Sequence, residues 1–139
     1  MKIEIRPFQT EDEAGVVALW ALAFPNEPSR NEFHQLIATK LTVQGELFFV
    51  AEFEKQIVGT VIAGFDGVRG WVHKVSSHPK LRGNGIAAAL MNHAESALKA
   101  LGCKKLNLQV RAGNAEAITF YQKIGYTVEE RISFGKELD

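Results

Sequence analysis

His78–Leu90, HPKLRGNGIAAAL, sets a proline, two cations and two glycines directly ahead of an apolar helical pattern. The start of a helix offers N–H groups that lack intrahelical acceptors, together with a partial positive charge, so it suits an anion. Gly83 and Gly85 carry no side chain to keep a ligand off those groups, and Lys80 and Arg82 add charge at the rim. On this loop alone two readings stay open. It is a phosphate cradle, or it is a plain strand-to-helix turn that needs positive φ twice. The plain turn accounts for the glycines but not for the cations.

Working outward, Ile86, Leu90, Ala94, Ala97 and Leu101 recur at helical spacing, with Asn92, Glu95, Ser96 and Lys99 on a wet face. This predicts a long helix over Asn84–Ala100, stopped by Gly102. Beyond it the pattern predicts a strand over Lys105–Val110, a short helix over Asn114–Ile124 and a final pair of strands within Tyr126–Leu138. Upstream, Leu47–Phe53 and Gln56–Phe65 are rich in Phe, Val and Ile and are joined by a turn at Glu54–Lys55. Asp66–Gly67 predicts a two-residue hairpin turn into a third antiparallel strand, Trp71–Ser77. Near the start, Lys2–Arg6 alternates like an edge strand. Thr10 with Glu13 and Ser29 with Glu32 read as capping boxes for two helices, whose apolar stripes are Val16, Trp20, Ala23 and Phe33, Ile37, Leu41. Antiparallel strands followed by a strand–helix–strand unit predict a mixed α/β sheet in which two strands run parallel.

Bulk properties narrow the class. A chain of 139 residues suits one domain spanning residues 1–139, and 46% hydrophobic with 23% charged residues is an ordinary globular balance. Sixteen basic and sixteen acidic residues cancel, which gives no support for a nucleic-acid or membrane partner. Cys103 alone excludes an internal disulfide and a cysteine-rich zinc site, and it reads as a small half-buried thiol. His34 and His93 sit in helices with no partner at metal spacing, so no metal is expected. The start, MKIEIRPF, lacks a signal-peptide core and no apolar run reaches a membrane span, so the expected location is the cytoplasm.

Gly83 to Ala88 also fits a dinucleotide fingerprint, but its context does not. His78–Arg82 separates the first glycine from its strand, and LQVRAGN stands where the fingerprint needs an acidic residue. Too little chain follows to complete a doubly wound sheet.

Arg82-Gly83-Asn84-Gly85-Ile86-Ala87 resembles the signature of the GNAT N-acetyltransferase superfamily: Gln or Arg, two variable residues, glycine, one variable residue, then glycine or alanine. Asn114 to Tyr126, NAEAITFYQKIGY, is similar to the second landmark of that family, N-x-x-A-x-x-(F/L)-Y-x-K-x-G-(F/Y). The element order covers the whole of such a domain. The resemblance implies a twisted mixed sheet of six to seven strands with about four helices and splayed central parallel strands. It implies acetyl-CoA as donor, its pyrophosphate on the amides from Leu81 or Arg82 through Gly83, Asn84, Gly85, Ile86, Ala87 and Ala88. The pantetheine arm is then expected between the strands ending near Ser77 and Val110, bonded by backbone of Val75 and Ser77, with a slip of one residue if the strand carries a bulge. Asn114 is expected to touch the cofactor through its side chain.

The resemblance further implies direct attack by a neutral amine in a ternary complex, with a strand N–H near Val75 as oxyanion donor. Tyr121 matches the family tyrosine that protonates the departing thiolate; without the motif it reads as a core aromatic in the stripe Ala117, Phe120, Tyr121, Ile124. His73 is the candidate general base by its pKa, with Glu52, Asp66 or water as alternatives. Arg69 and Trp71 are candidates for the acceptor cleft, and His78 reads as turn chemistry. Glu27 and Glu32 either attract a cationic amine or act as caps. The acceptor, a small-molecule amine or a peptide or protein amine, stays open, as does monomer against homodimer. A non-catalytic acyl-CoA sensor or interaction module is the alternative on the same fold.

Overall fold

The antiparallel run expected between Leu47 and Ser77 forms the centre of a mixed sheet. The computed structural model describes residues 1–27 and 32–139. Its elements are β1 (Glu4–Pro7), α1 (Glu13–Ala23), α2 (Phe33–Leu41), β2 (Phe48–Phe53), β3 (Gln56–Phe65), β4 (Gly70–Ser77), α3 (Ile86–Ala100), β5 (Leu106–Asn107) and α4 (Ala115–Lys123). The five strands lie in the order β1-β2-β3-β4-β5, antiparallel except for the parallel pair β4–β5. The chain forms two compact units, Met1–Leu108 and Gln109–Asp139.

In the first unit, strand alternation sends Phe48 and Val50 of β2 into a core with Phe8, Val16, Trp20, Ile37 and Ile62. Phe8 stacks on Phe48 at 4.5 Å between ring centroids, and Trp20 stacks on Phe48 at 6.0 Å. Burying side chains of this size stabilises the fold by about 2–3 kcal/mol each. Phe49 faces the other way, where its ring meets His93 of α3 edge-on at 4.6 Å. At Gly59 a Cβ would stand 2.7 Å from Ile86 Cγ2 and 2.8 Å from Leu90 Cδ1, so glycine is what lets α3 lie this close to β3. That contact fixes the start of α3 beside the end of β4.

Several expectations shift. The Thr10 and Glu13 box is replaced by Asp12, whose carboxylate accepts the Gln9 N–H at 2.8 Å. Arg6 explains the shift, because its guanidinium grips Asp12 with two bonds of 2.7 and 2.9 Å and also reaches Glu52 at 2.9 Å. Ser29 lies outside the described residues; Glu32 itself caps α2, accepting N–H bonds from His34 and Gln35. Leu41 and Leu101 are exposed, because each falls where its helix ends and the stripe no longer faces the sheet. The Asp66–Gly67 turn is a four-residue loop, since Phe65 pairs with Gly70 while Asp66 Oδ1 accepts the N–H groups of Val68 and Arg69.

The strand expected over Lys105–Val110 is two residues long, Leu106–Asn107. In the second unit, α4 begins at Asn114, whose Oδ1 accepts the Ala117 N–H at 3.1 Å. Phe120, expected in the core, is half-buried. Tyr126–Leu138 alternates but carries no strand among the described residues, and Val128, Ile132, Phe134 and Leu138 are exposed. The sheet therefore has five strands among the described residues rather than six to seven, because alternation makes a strand only where a ladder partner exists.

Candidate active site

The glycine loop follows β4 through a tight turn. His78 donates its N–H to Val58 O at 2.8 Å, its Nδ1 accepts the Lys80 N–H, and Leu81 donates its N–H to His78 O at 2.9 Å. The Leu81 amide, one of the expected phosphate donors, is thus engaged by the turn itself. Gly83 and Gly85 both have positive φ, 86° and 78°. A Cβ at either would meet nothing within 4 Å. The glycines satisfy the turn, and the space before them is open. The first α3 residue whose N–H finds its intrahelical acceptor is Ala89, bonded to Gly85 O at 3.0 Å. Ile86, Ala87 and Ala88 precede that bond, so their N–H groups have no helical partner. Asn84 braces the loop by donating Nδ2 to Leu81 O at 2.8 Å. An open cradle of amides at a helix start fits a diphosphate.

The edge of β4 beside this loop is also suited to an extended ligand. β4 and β5 pair only at Gly70–Leu106 and Trp71–Asn107, while β4 continues to Ser77. Past Trp71 that edge has no strand partner among the described residues. The His78 N–H points to β3, as does the Ser76 pairing with Thr60, so alternation turns the backbone of Val75 and Ser77 to the other edge.

A bulge interrupts β4. Three residues of β3, from Thr60 to Ile62, lie opposite four of β4, from Ser76 to His73. Lys74 sits in the bulge with φ 51°, a left-handed conformation that costs a residue bearing a Cβ about 1–2 kcal/mol. Its side chain is largely buried, ion-paired with Glu27 and 4.6 Å from the Phe24 ring centroid. Its carbonyl accepts a hydrogen bond from Thr60 Oγ1 at 2.8 Å. Thr60 and Lys74 were not singled out from the sequence, and Trp20 was read there as apolar stripe alone; a lone threonine inside the apolar run of β3 was the available signal.

His73 pairs with Ile62 and so shares the face of α1 and α2, as does the bulged Lys74 that packs on Phe24. It is exposed, yet the surrounding protein disfavours its charged form, and the Lys40 and Lys74 cations push the same way, holding its pKa below the usual histidine value. The ring is therefore neutral at neutral pH, as a proton acceptor must be. The alternatives Glu52 and Asp66 have other work: Glu52 lies on β2 bonded to Arg6, and Asp66 caps its own loop. Those loop N–H bonds, from Arg69 first and then Val68, lower the Asp66 pKa. Glu27 is paired with Lys74 and Glu32 caps α2, so neither is arranged to attract a cationic amine. A separate groove of about 420 Å³ lies between α1 and the β2–β3 hairpin, and in it Arg6 is already ion-paired with both Asp12 and Glu52.

In the second unit Tyr121 is half-buried between the rings of Phe120, at 5.0 Å, and Tyr126, at 5.9 Å. Burial pushes its hydroxyl up to about 12, so it stays protonated across the working pH range. Asn114 uses Oδ1 to cap α4, which leaves its Nδ2 as the group able to reach a ligand.

Comparison with known proteins supplies the remaining findings. The profile of the acetyltransferase (GNAT) family matches residues 14–126. The chain is 41% identical over 140 residues to an acetyltransferase of Yersinia enterocolitica, covering 98% of this chain and 96% of that one. The solved structure of AAC(6')-Iy, in complex with a bisubstrate analog of CoA and acetylneamine, superposes with a TM-score of 0.82 at 16% identity, covering 100% of both chains. Ard1 from Thermoplasma volcanium gives 0.81 at 22% identity, over 93% of this chain and 85% of that one. At such identities the two structures speak for the fold alone. No described helix is long and apolar enough to cross a membrane.

Proposed function

The chain belongs to the acetyltransferase (GNAT) family and is an N-acetyltransferase, and we propose that it acetylates a primary amine by direct attack within a ternary complex. The observation that carries this reading is the open cradle at Gly83–Ala88, whose first-turn amides have no helical partner, beside the edge of β4 that past Trp71 has no strand partner among the described residues. When bound, acetyl-CoA supplies the thioester whose acetyl group is transferred and whose sulfur leaves as a thiolate. The amides of Gly83–Ala88 hold the diphosphate, with Arg82 adding charge at the rim. Val75 and Ser77 backbone groups align the pantetheine arm, and Asn114 Nδ2 contributes a further donor.

The amine nitrogen forms its bond to the acetyl carbon as the carbon–sulfur bond breaks. Val75 N–H stabilises the negative charge that develops on the carbonyl oxygen. His73, neutral at working pH, accepts the proton lost by the amine at a ring nitrogen, directly or through water. Tyr121 gives its hydroxyl proton to the thiolate. Release of free thiol from acetyl-CoA across a panel of small amines, peptide N-termini and lysine peptides tests the reading. Amine-dependent release is expected. Coenzyme A binding with no transfer to any amine would make the chain a sensor instead.

A further inference from the structure

A lysine held left-handed within a strand needs something to hold it. Thr60 Oγ1 stands at the centre of a buried hydrogen-bond set: Trp20 Nε1 lies at 2.8 Å, Ser76 Oγ at 2.7 Å and Lys74 O at 2.8 Å. Thr60 and Trp20 are fully buried and Ser76 is 5% exposed.

Proton counting fixes the direction of every bond. A hydroxyl has one proton to give and two lone pairs to receive. The Trp20 indole can only donate and the Lys74 carbonyl can only accept, so Thr60 spends its single proton on Lys74 O. Ser76 must then donate to Thr60. The set has no second arrangement that leaves all its members satisfied.

The consequence lies one atom further on. Lys74 C=O and Val75 N–H belong to the same trans peptide unit, in which the two groups point in opposite directions. Fixing the carbonyl toward Thr60 aims the Val75 N–H away from Thr60. Lys74 and Val75 have no one-to-one partner in the β3–β4 register, so the Thr60 hydroxyl gives this peptide a fixed point where the ladder shifts.

We propose that Thr60 is a positioning residue for acetyl transfer, its hydroxyl clamping the Lys74 carbonyl so that the Val75 N–H is aimed at the developing oxyanion. This rests on the N-acetyltransferase reading above. The substitutions T60V, which keeps the shape without the hydroxyl, and T60S, which keeps the hydroxyl, separate the clamp from simple packing.

In folded T60V, kcat falls about a hundredfold, the scale on which a misplaced group costs rate, while coenzyme A affinity stays within about threefold of wild type. T60S restores kcat to within about threefold. In the free protein, amide hydrogen exchange at Val75 changes in T60V and not in T60S. A folded T60V with wild-type kcat, or one whose Val75 exchange is unchanged, overturns the proposal. Should T60V not fold, the wild-type chain decides: Val75 exchanges faster than Ser76 and slows when coenzyme A is added, whereas equal protection of the two before any ligand contradicts the clamp. A wild-type chain that acetylates no amine sinks the functional reading, and the exchange comparison still decides the clamp.

Discussion

Replacing Gly85 by glutamate puts a carboxylate where the diphosphate is expected, and the structure allows its effect to be split in two. Gly85 has φ 78°, so any residue with a Cβ is strained there, by about 1 kcal/mol. For a chain of 139 residues that amounts to a melting temperature lower by about 3–5 °C. No steric clash adds to it, since a Cβ at this position meets nothing within 4 Å. G85A therefore reports strain alone. The glutamate adds repulsion: at about 4 Å a pair of unit charges costs about 1 kcal/mol in water and about 4 kcal/mol near a protein surface. Two phosphate charges at the weaker limit, or one at the stronger, correspond to a loss of about thirtyfold to a thousandfold in affinity. Calorimetric titration with coenzyme A, paired with thermal melts, reads both quantities. G85A should melt a few degrees lower and bind with a modest loss, while G85E melts similarly and loses binding by at least the lower figure. A folded G85E that binds coenzyme A as wild type does would refute the reasoning, because no anion could then lie against this turn.

Three further outcomes follow from the same geometry. Y121F should lower kcat by about a hundredfold, the lower end of general acid catalysis, and leave coenzyme A affinity unchanged, as stopped-flow thiol release and titration would show; unaltered turnover removes Tyr121 as the acid. The depressed His73 pKa places the acid limb of kcat/KM below pH 6.5, since protonation of the ring abolishes the base, and H73A should remove that limb; a limb that persists in the variant assigns it to another group. Burial raises the Asp12 pKa, but the Arg6 and Gln9 bonds outweigh it and the net pKa is lowered, so the carboxylate stabilises the fold above pH 3.8 and loses that contribution as pH falls through its lower folded value. D12N should cost about 2–3 kcal/mol at neutral pH by removing the charged acceptor of two Arg6 bonds and leaving Arg6 to Glu52, and flatten the acid side of the stability curve; an unchanged acid slope in chemical denaturation would contradict this.

What the sequence made legible is what local chemistry demands. Gly83 and Gly85 were readable because positive φ and an open helix start both call for glycine, and the bounds of β3 follow from a run rich in Ile and Val between two turns. The turn at Glu54–Lys55 is found with both residues at positive φ. The bulge was not readable. Nothing in WVHKVSS marks Lys74 as left-handed, because its conformation is held from outside by Thr60 on β3 and by Glu27. The same holds at the start of α1, where Arg6 selects Asp12 over the locally plausible Glu13. At the other end, the alternation of Val128, Ile132, Phe134 and Leu138 describes a face suited to a sheet, but alternation specifies no partner. The roles proposed for residues at the site come only through the paired motifs around Gly83 and Tyr121, since His73 and Tyr121 taken singly look like ordinary strand and core residues.

The account stands on the amides at the start of α3 gripping a diphosphate, and backbone amide NMR during a coenzyme A titration measures this residue by residue. The expected result is large, saturable shifts of the amides from Gly83 to Ala88, with slowed exchange at Ile86, Ala87 and Ala88 and smaller shifts at Val75 and Ser77. Saturable binding that leaves those amides unmoved and shifts another part of the chain would contradict it.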